Sequence, residues 1–151
     1  MRNIILFAFV VCSNFLIAQN GILLPPENIR TAFEKQYPKK KPIWEVEYSS
    51  KNEDVIFEAK FNETPKIAAF ARYDKNGNFK AYKAQIILTK LPKKAQVYLK
   101  DNYPVKSLRQ FFSVVNDLNV KSYEASLIKD SKFYNIIFDE DGEFYKRVQI
   151  R

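Results

Sequence analysis

Histidine is missing from the chain altogether, and its single cysteine stands at position 12. These absences remove the commonest general base, the usual zinc ligands and the cysteine nucleophile. Serines are present, but none lies in a Gly-x-Ser-x-Gly elbow. A Ser–Lys or carboxylate-pair hydrolase is the catalytic reading left, and so few catalytic groups weigh against any enzyme. Glycine is scarce too, at three residues, whereas aromatics reach 15% through thirteen Phe and nine Tyr. That balance favours packed sheets with economical turns. At 151 residues, 46% hydrophobic and 28% charged, the chain reads as globular, sized for one domain or two small ones.

Long hydrophobic runs are also lacking, except at the start. Arg2 gives a positive end, Ile4 to Ile17 is apolar apart from Cys12, Ser13 and Asn14, and Ala18 offers a small residue ahead of Gln19. This is the pattern of a cleaved export signal over residues 1–18. The competing reading, a membrane anchor, needs ~20 largely uninterrupted apolar residues. A lipidated Cys12 would follow a small residue and here follows Val11. Cleavage after Ala18 leaves 133 residues without cysteine, enough to build a core without disulfides. The expected location is the periplasm or the outer surface, with no transmembrane segment after cleavage. Cleavage removes one arginine and no acid, taking the formal charge from +8 to +7. A basic exported protein suits an acidic protein or an anionic envelope component. Export argues against nucleic acid.

What is present in abundance is internal repetition. Pro26, Ile29, Ala32, Phe33, Tyr37 and Pro38 recur 66 residues later as Pro92, Ala95, Tyr98, Leu99, Tyr103 and Pro104. The apolar members fall on one stripe of an amphipathic helix. Proline at each start loses little, and the residue before the closing proline resists helical geometry. Phe57-Glu58-Ala59 recurs as Tyr123-Glu124-Ala125, and Phe61 as Leu127, at the same offset. Tyr73-Asp74 … Gly77 … Phe79 recurs as Phe138-Asp139 … Gly142 … Phe144 at offset 65, so one residue is lost between. Period-two alternation marks four strands per copy, with Asn76-Gly77 signalling a hairpin. The expected fold class is α+β. A tandem duplication is predicted, each half one helix packed on a four-stranded antiparallel sheet. Its units are a 19–25 linker and repeats at 26–88 and 91–151.

These residues resemble the PepSY-like, β-lactamase-inhibitor-like domains of secreted Bacteroidetes proteins. The likeness rests on the Pro-started helix ending Tyr37-Pro38, then Trp44, Phe57-Glu58-Ala59 and the Tyr73-Asp74 … Gly77 turn, with their second-copy counterparts. It implies helix-plus-sheet units whose sheets form a concave binding face. No inhibitory residue carries over, since no matching recognition loop is found.

Candidate partner-binding residues fall in two groups. Lys39, Lys40 and Lys41, with Lys93 and Lys94 at the second helix start, form basic patches that suit an anionic partner or simply keep the surface solvated. Trp44, Tyr48, Tyr82 and Tyr145 are strand aromatics that serve as interface anchors or as core. Asp139, Asp141 and Glu143 around Gly142 faintly resemble a calcium loop, but flanking strand residues only six apart favour a hairpin turn. No catalytic, cofactor or metal residue is assigned. The expected function is a monomeric, non-catalytic binding or inhibitor-like module. The alternative is an envelope-associated structural protein binding anionic glycan or lipid.

Overall fold

The computed structural model describes residues 23–48 and 55–150. The expected signal, 1–18, lies outside the described residues. Helix α1 (Glu27–Gln36) begins directly after Pro26, and α2 (Lys93–Asn102) directly after Pro92. The proline carbonyls accept the first helical bonds, from Ile29 and Arg30 in α1 and from Gln96 in α2. Each helix stops at its Tyr-Pro pair. The amides of Tyr37 and Tyr103 donate back to Phe33 and Leu99, and the following proline disfavours a further turn.

Eight strands follow the helices. β1 (Ile43–Tyr48), β2 (Val55–Thr64), β3 (Ile67–Asp74) and β4 (Phe79–Ile86) come after α1. β5 (Leu108–Asn116), β6 (Lys121–Lys129), β7 (Lys132–Phe138) and β8 (Phe144–Ile150) come after α2. The halves do not keep separate sheets. β4 pairs antiparallel with β5, from Ala81 opposite Asn116 to Ile86 opposite Phe111, giving one eight-stranded antiparallel sheet in sequence order. Two separate sheets would leave β4 and β5 as edges with unpaired backbone groups, and their pairing removes both edges.

Alternation along the strands sends one set of side chains under the helices. Ile29, Phe33, Ala59, Phe61, Ala69, Ala71 and Tyr73 form the core beneath α1. Leu91, Ala95, Leu99, Tyr103, Tyr123, Ala125, Leu127, Ile136 and Phe138 form the core beneath α2. Members at the repeat offset hold matching places: Ile29 with Ala95, Phe33 with Leu99, Ala59 with Ala125, Phe61 with Leu127, Tyr73 with Phe138. Full burial of Phe33 or Leu99 contributes about 1.5–3 kcal/mol each. The single-residue step in the offset also has a place. β2 bulges between Asn62 and Thr64, while β6 and β7 stay in register from Tyr123 to Lys129. The additional residue of the first half is the bulged Glu63.

Three hairpins share one turn. Asp74 Oδ1 accepts the amides of Asn76 and Asn78, Asn116 Oδ1 those of Leu118 and Val120, and Asp139 Oδ1 those of Asp141 and Glu143. The fourth residue of each turn is left-handed: Gly77 at φ 83°, Asn119 at 60°, Gly142 at 85°. Asn76 has no positive φ, so the Asn-Gly pair is not a two-residue turn, and β4 bulges instead at Lys80, between the Arg72–Ala81 and Tyr73–Phe79 pairs. The two-residue turn with paired positive φ joins β6 to β7 at Asp130 and Ser131. Gly77 and Gly142 also lie against the helix starts. A Cβ on Gly77 would stand 3.1 Å from the Asn28 carbonyl oxygen, and one on Gly142 2.6 Å from Pro92 Cβ.

Candidate functional site

The sequence-marked residues are not gathered into one site, although Lys40 and Tyr82 both engage Glu63. Lys39, at φ 70°, and Lys41 are exposed in the α1–β1 loop. Lys40 between them turns inward, its ammonium donating to the carbonyls of Asn62 and Glu63 at 2.9 and 2.7 Å. Trp44 lies on the helix side, edge-on to Phe33 at 5.5 Å and 6.4 Å from Tyr73. Tyr82 lies there too, stacked on Tyr37 and donating its hydroxyl to Glu63 at 3.2 Å. Burial, with the Glu63 charge added, pushes both Tyr37 and Tyr82 up to about 12. Tyr48 pairs with Val55, and its side chain lies outside the described residues. Lys93 is exposed at the start of α2. Lys94 bridges to Glu143 of the β7–β8 turn at 2.6 Å, which offsets the adverse helix dipole that its position implies. Tyr145 is 69% exposed on edge strand β8, with the Lys146 ammonium 5.4 Å from its ring centre.

The face opposite the helices carries a different set. Register places Lys60, Phe70 and Lys83 side by side across β2, β3 and β4, and Gln85, Phe112, Glu124, Ile137 and Lys146 side by side across β4 to β8. Phe70 and Phe112 meet edge to face at 5.7 Å. The Lys83 ammonium lies 4.2 Å from the Phe112 ring centre and 5.7 Å from that of Phe70. It donates to Glu124 Oε2 at 2.5 Å. Arg72 donates to Glu58 at 2.5 Å and to Glu47 at 3.3 Å. Burial alone would lower the Arg72 pKa, but the carboxylates of Glu58 and then Glu47 outweigh it and hold the guanidinium above its ordinary value. Glu58 and Lys83 are 7% exposed and Glu124 8%, although no helix among the described residues covers this face. The Asn135 Oδ1, on the same face, is buried with no partner among the described residues.

Charge on this face is balanced. Apart from Asp74, which its turn engages, Glu45, Glu47, Glu58 and Glu124 stand against Lys60, Arg72, Lys83 and Lys146. The basic excess of the chain therefore lies elsewhere. Beside the charged centre, Phe133, Val148 and Ile150 form an exposed apolar margin, with Phe133 opposite Ile150. Two carboxylates among the described residues leave their ordinary range, and both fall. Burial opposes the change at Asp74, but its bonds from Asn78 and Asn76 lower it, and Asp117 is lowered chiefly by the Lys80 ammonium at 2.6 Å. Both are turn acids held ionised, the opposite of a general acid. No group of three or more metal-ligating side chains occurs among the described residues.

Sequence reasoning missed Phe70, Lys83, Phe112 and Arg72. A signal for them existed in Glu58 and Glu124, which occupy the same repeat position between apolar core neighbours. A carboxylate there faces away from the core, and a repeated one asks for a repeated cation. Phe70 and Phe112 carried no such mark, because alternation alone does not say which set of aromatics the helix covers.

No family model matches the chain, and no curated protein matches it. Solved structures do. A protein of Bacteroides eggerthii DSM 20697, taken to be periplasmic, superposes with a TM-score of 0.61 at 14% identity, over 85% of this chain and 91% of that one. A DUF2874 family protein of Bacteroides ovatus ATCC 8483 gives 0.60 at 14% identity, over 84% and 89%. A BLIP-like protein of Bacteroides fragilis NCTC 9343 gives 0.56 at 15% identity, over 86% and 89%. The chain thus has the α+β fold of these Bacteroides proteins, the inhibitor-like fold that its sequence resembles.

Proposed function

We propose that this chain is an exported, monomeric, non-catalytic protein-binding module, and that the open face of its sheet is the docking surface. The single observation that carries this reading is the juxtaposition on that face. A pre-paired charged and aromatic centre sits beside an exposed apolar margin at Phe133, Val148 and Ile150, with no covering layer among the described residues. Aromatic and apolar anchors beside satisfied charges are the makeup of a protein interface. The BLIP-like and periplasmic descriptions of the fold relatives favour the same role in the periplasm. No helix among the described residues is long and apolar enough to cross a membrane. The matching cores and turns support an origin by tandem duplication of units at 26–88 and 91–151, later fused through β4 and β5.

The test compares capture of an envelope protein by the parent chain, by a Phe133→Ser/Val148→Ser variant and by a Lys39→Glu/Lys41→Glu variant. Each substitution is at an exposed site and should move stability by no more than about 0.5 kcal/mol. The open-face variant should lose the partner, and the loop variant should keep it. Because the face carries balanced charge, capture should survive moderate salt. Capture that vanishes in salt and with the loop variant, yet persists with the open-face variant, would replace this proposal with glycan or lipid binding through Lys39 and Lys41.

A further inference from the structure

On the helix side of the sheet, at the seam between the two cores, lies a cavity of about 550 Å³. Its origin can be read from the register. Ala69, Ala84 and Ser113 follow one another across β3, β4 and β5, so small side chains bridge from the core beneath α1 to the edge of the core beneath α2. Tyr123 of β6 continues the row and closes one wall. Ile67, Ile86 and Ile87 supply aliphatic lining, and Ile87 is left largely exposed.

The charged lining is all of one sign. Lys66 comes from the β2–β3 turn, Lys90 from the short 3-10 turn before α2, and Lys121 from the start of β6. No carboxylate lines the cavity. Among the described residues none of the three lysines joins an ion pair, although Lys121 also lies 5.2 Å from the Tyr123 ring centre. Glu63, the acid of the neighbouring bulge, is engaged by the Tyr82 hydroxyl and is not part of the lining. The volume is that of a small-molecule site, which commonly combines an apolar body with a few placed polar groups. Aliphatic walls with cations from three separate elements suit one ligand chemistry: a hydrocarbon body ending in a single anionic group.

We infer that this seam cavity binds an anionic single-chain amphiphile, a fatty carboxylate, with its chain against Ile67 and Ile86 and its head among Lys66, Lys90 and Lys121. The site is separate from the open face and stands or falls independently of it.

The experiment is calorimetric titration of the whole protein with dodecanoate below its micelle concentration. Acetate, inorganic phosphate and dodecyltrimethylammonium serve as comparisons, and the triple variant Lys66→Gln/Lys90→Gln/Lys121→Gln is titrated alongside. Dodecanoate should bind saturably with one site per chain, and at least tenfold more weakly to the triple variant. Acetate, phosphate and the cationic amphiphile should not saturate. All three lysines are exposed, so the variant should fold, and an unchanged melting temperature checks this. A Phe133→Ser change on the open face should leave the titration unaltered. The inference is overturned if dodecanoate fails to saturate, if the triple variant binds it as tightly, or if the cationic amphiphile binds equally well. Phosphate binding as tight as dodecanoate would also overturn it, by making the site one for a bare anion.

Discussion

Glu58 and Glu124 hold the same position in the two halves but solve their burial differently. Glu58 faces Arg72 directly across β2 and β3, and that arginine also reaches Glu47, so the first half satisfies its acid locally. Glu124 faces Ile137 where the first half has Arg72, and it crosses the seam to Lys83 on β4. Ile137 in the place of Arg72 thus leaves Glu124 to pair across the seam instead of within its own half. An acid in the second half and a lysine in the first half are each left uncompensated if the halves separate. The sheet is continuous there for two reasons: the backbone pairing of β4 with β5, and a buried charge pair that only the joined sheet can satisfy.

The largest effects are expected at that pair. Lys83→Met or Glu124→Leu alone leaves an unpaired buried charge and should cost about 3–5 kcal/mol in denaturant unfolding. The double variant should recover most of it, since apolar replacements of both partners are close to neutral. Glu58→Leu should cost less, about 1.5–3 kcal/mol, because Arg72 keeps Glu47. Equal losses from Glu58→Leu and Glu124→Leu would remove the distinction between a local pair and a seam pair.

The two glycine turns also differ. Both glycines are left-handed, so Gly77→Ala and Gly142→Ala each meet a cost of about 1–2 kcal/mol from φ alone. Gly142 adds a clash with Pro92 Cβ at 2.6 Å and the Ala95 nitrogen at 3.0 Å, whereas Gly77 meets a tight but smaller approach to the Asn28 backbone at 3.1 Å. Gly142→Ala should therefore lower the melting temperature more than Gly77→Ala. The smallest effects are those of pH. Tyr37 and Tyr82 bind their protons more tightly folded than unfolded. Their contribution is complete below about pH 10, the ordinary tyrosine value, and is lost as pH rises toward 12. Asp74 is shifted the other way. Its contribution is present above the ordinary carboxylate range and is lost as pH falls through its lowered folded value. A stability profile between pH 9 and 12 that is unaffected by Tyr37→Phe and Tyr82→Phe would contradict the alkaline part.

Much of this architecture was legible in residue order. Pro26 with Tyr37-Pro38 and Pro92 with Tyr103-Pro104 delimit helices because proline's constraints are local. The eight strands follow from alternation for the same reason. That the eight strands form one sheet was not legible, since nothing local in Ala81–Ile86 says which strand it pairs with. The third turn escaped for want of a glycine: Asn119 takes the left-handed position that Gly77 and Gly142 hold elsewhere. The make-up of the open face was the least legible part. Trp44 and Tyr82 look like interface anchors by type, yet the helix covers their parity. Phe70 and Phe112 have the same local pattern and face the other way.

The open face can be questioned directly by photo-crosslinking. Benzoylphenylalanine placed at Phe133 reports on the open face, and at Val97, exposed on α2, on the helix side. In the native envelope the first position should give a discrete protein adduct and the second should give none. An adduct at Val97 with none at Phe133 would place the partner on the wrong side of the sheet and contradict the account.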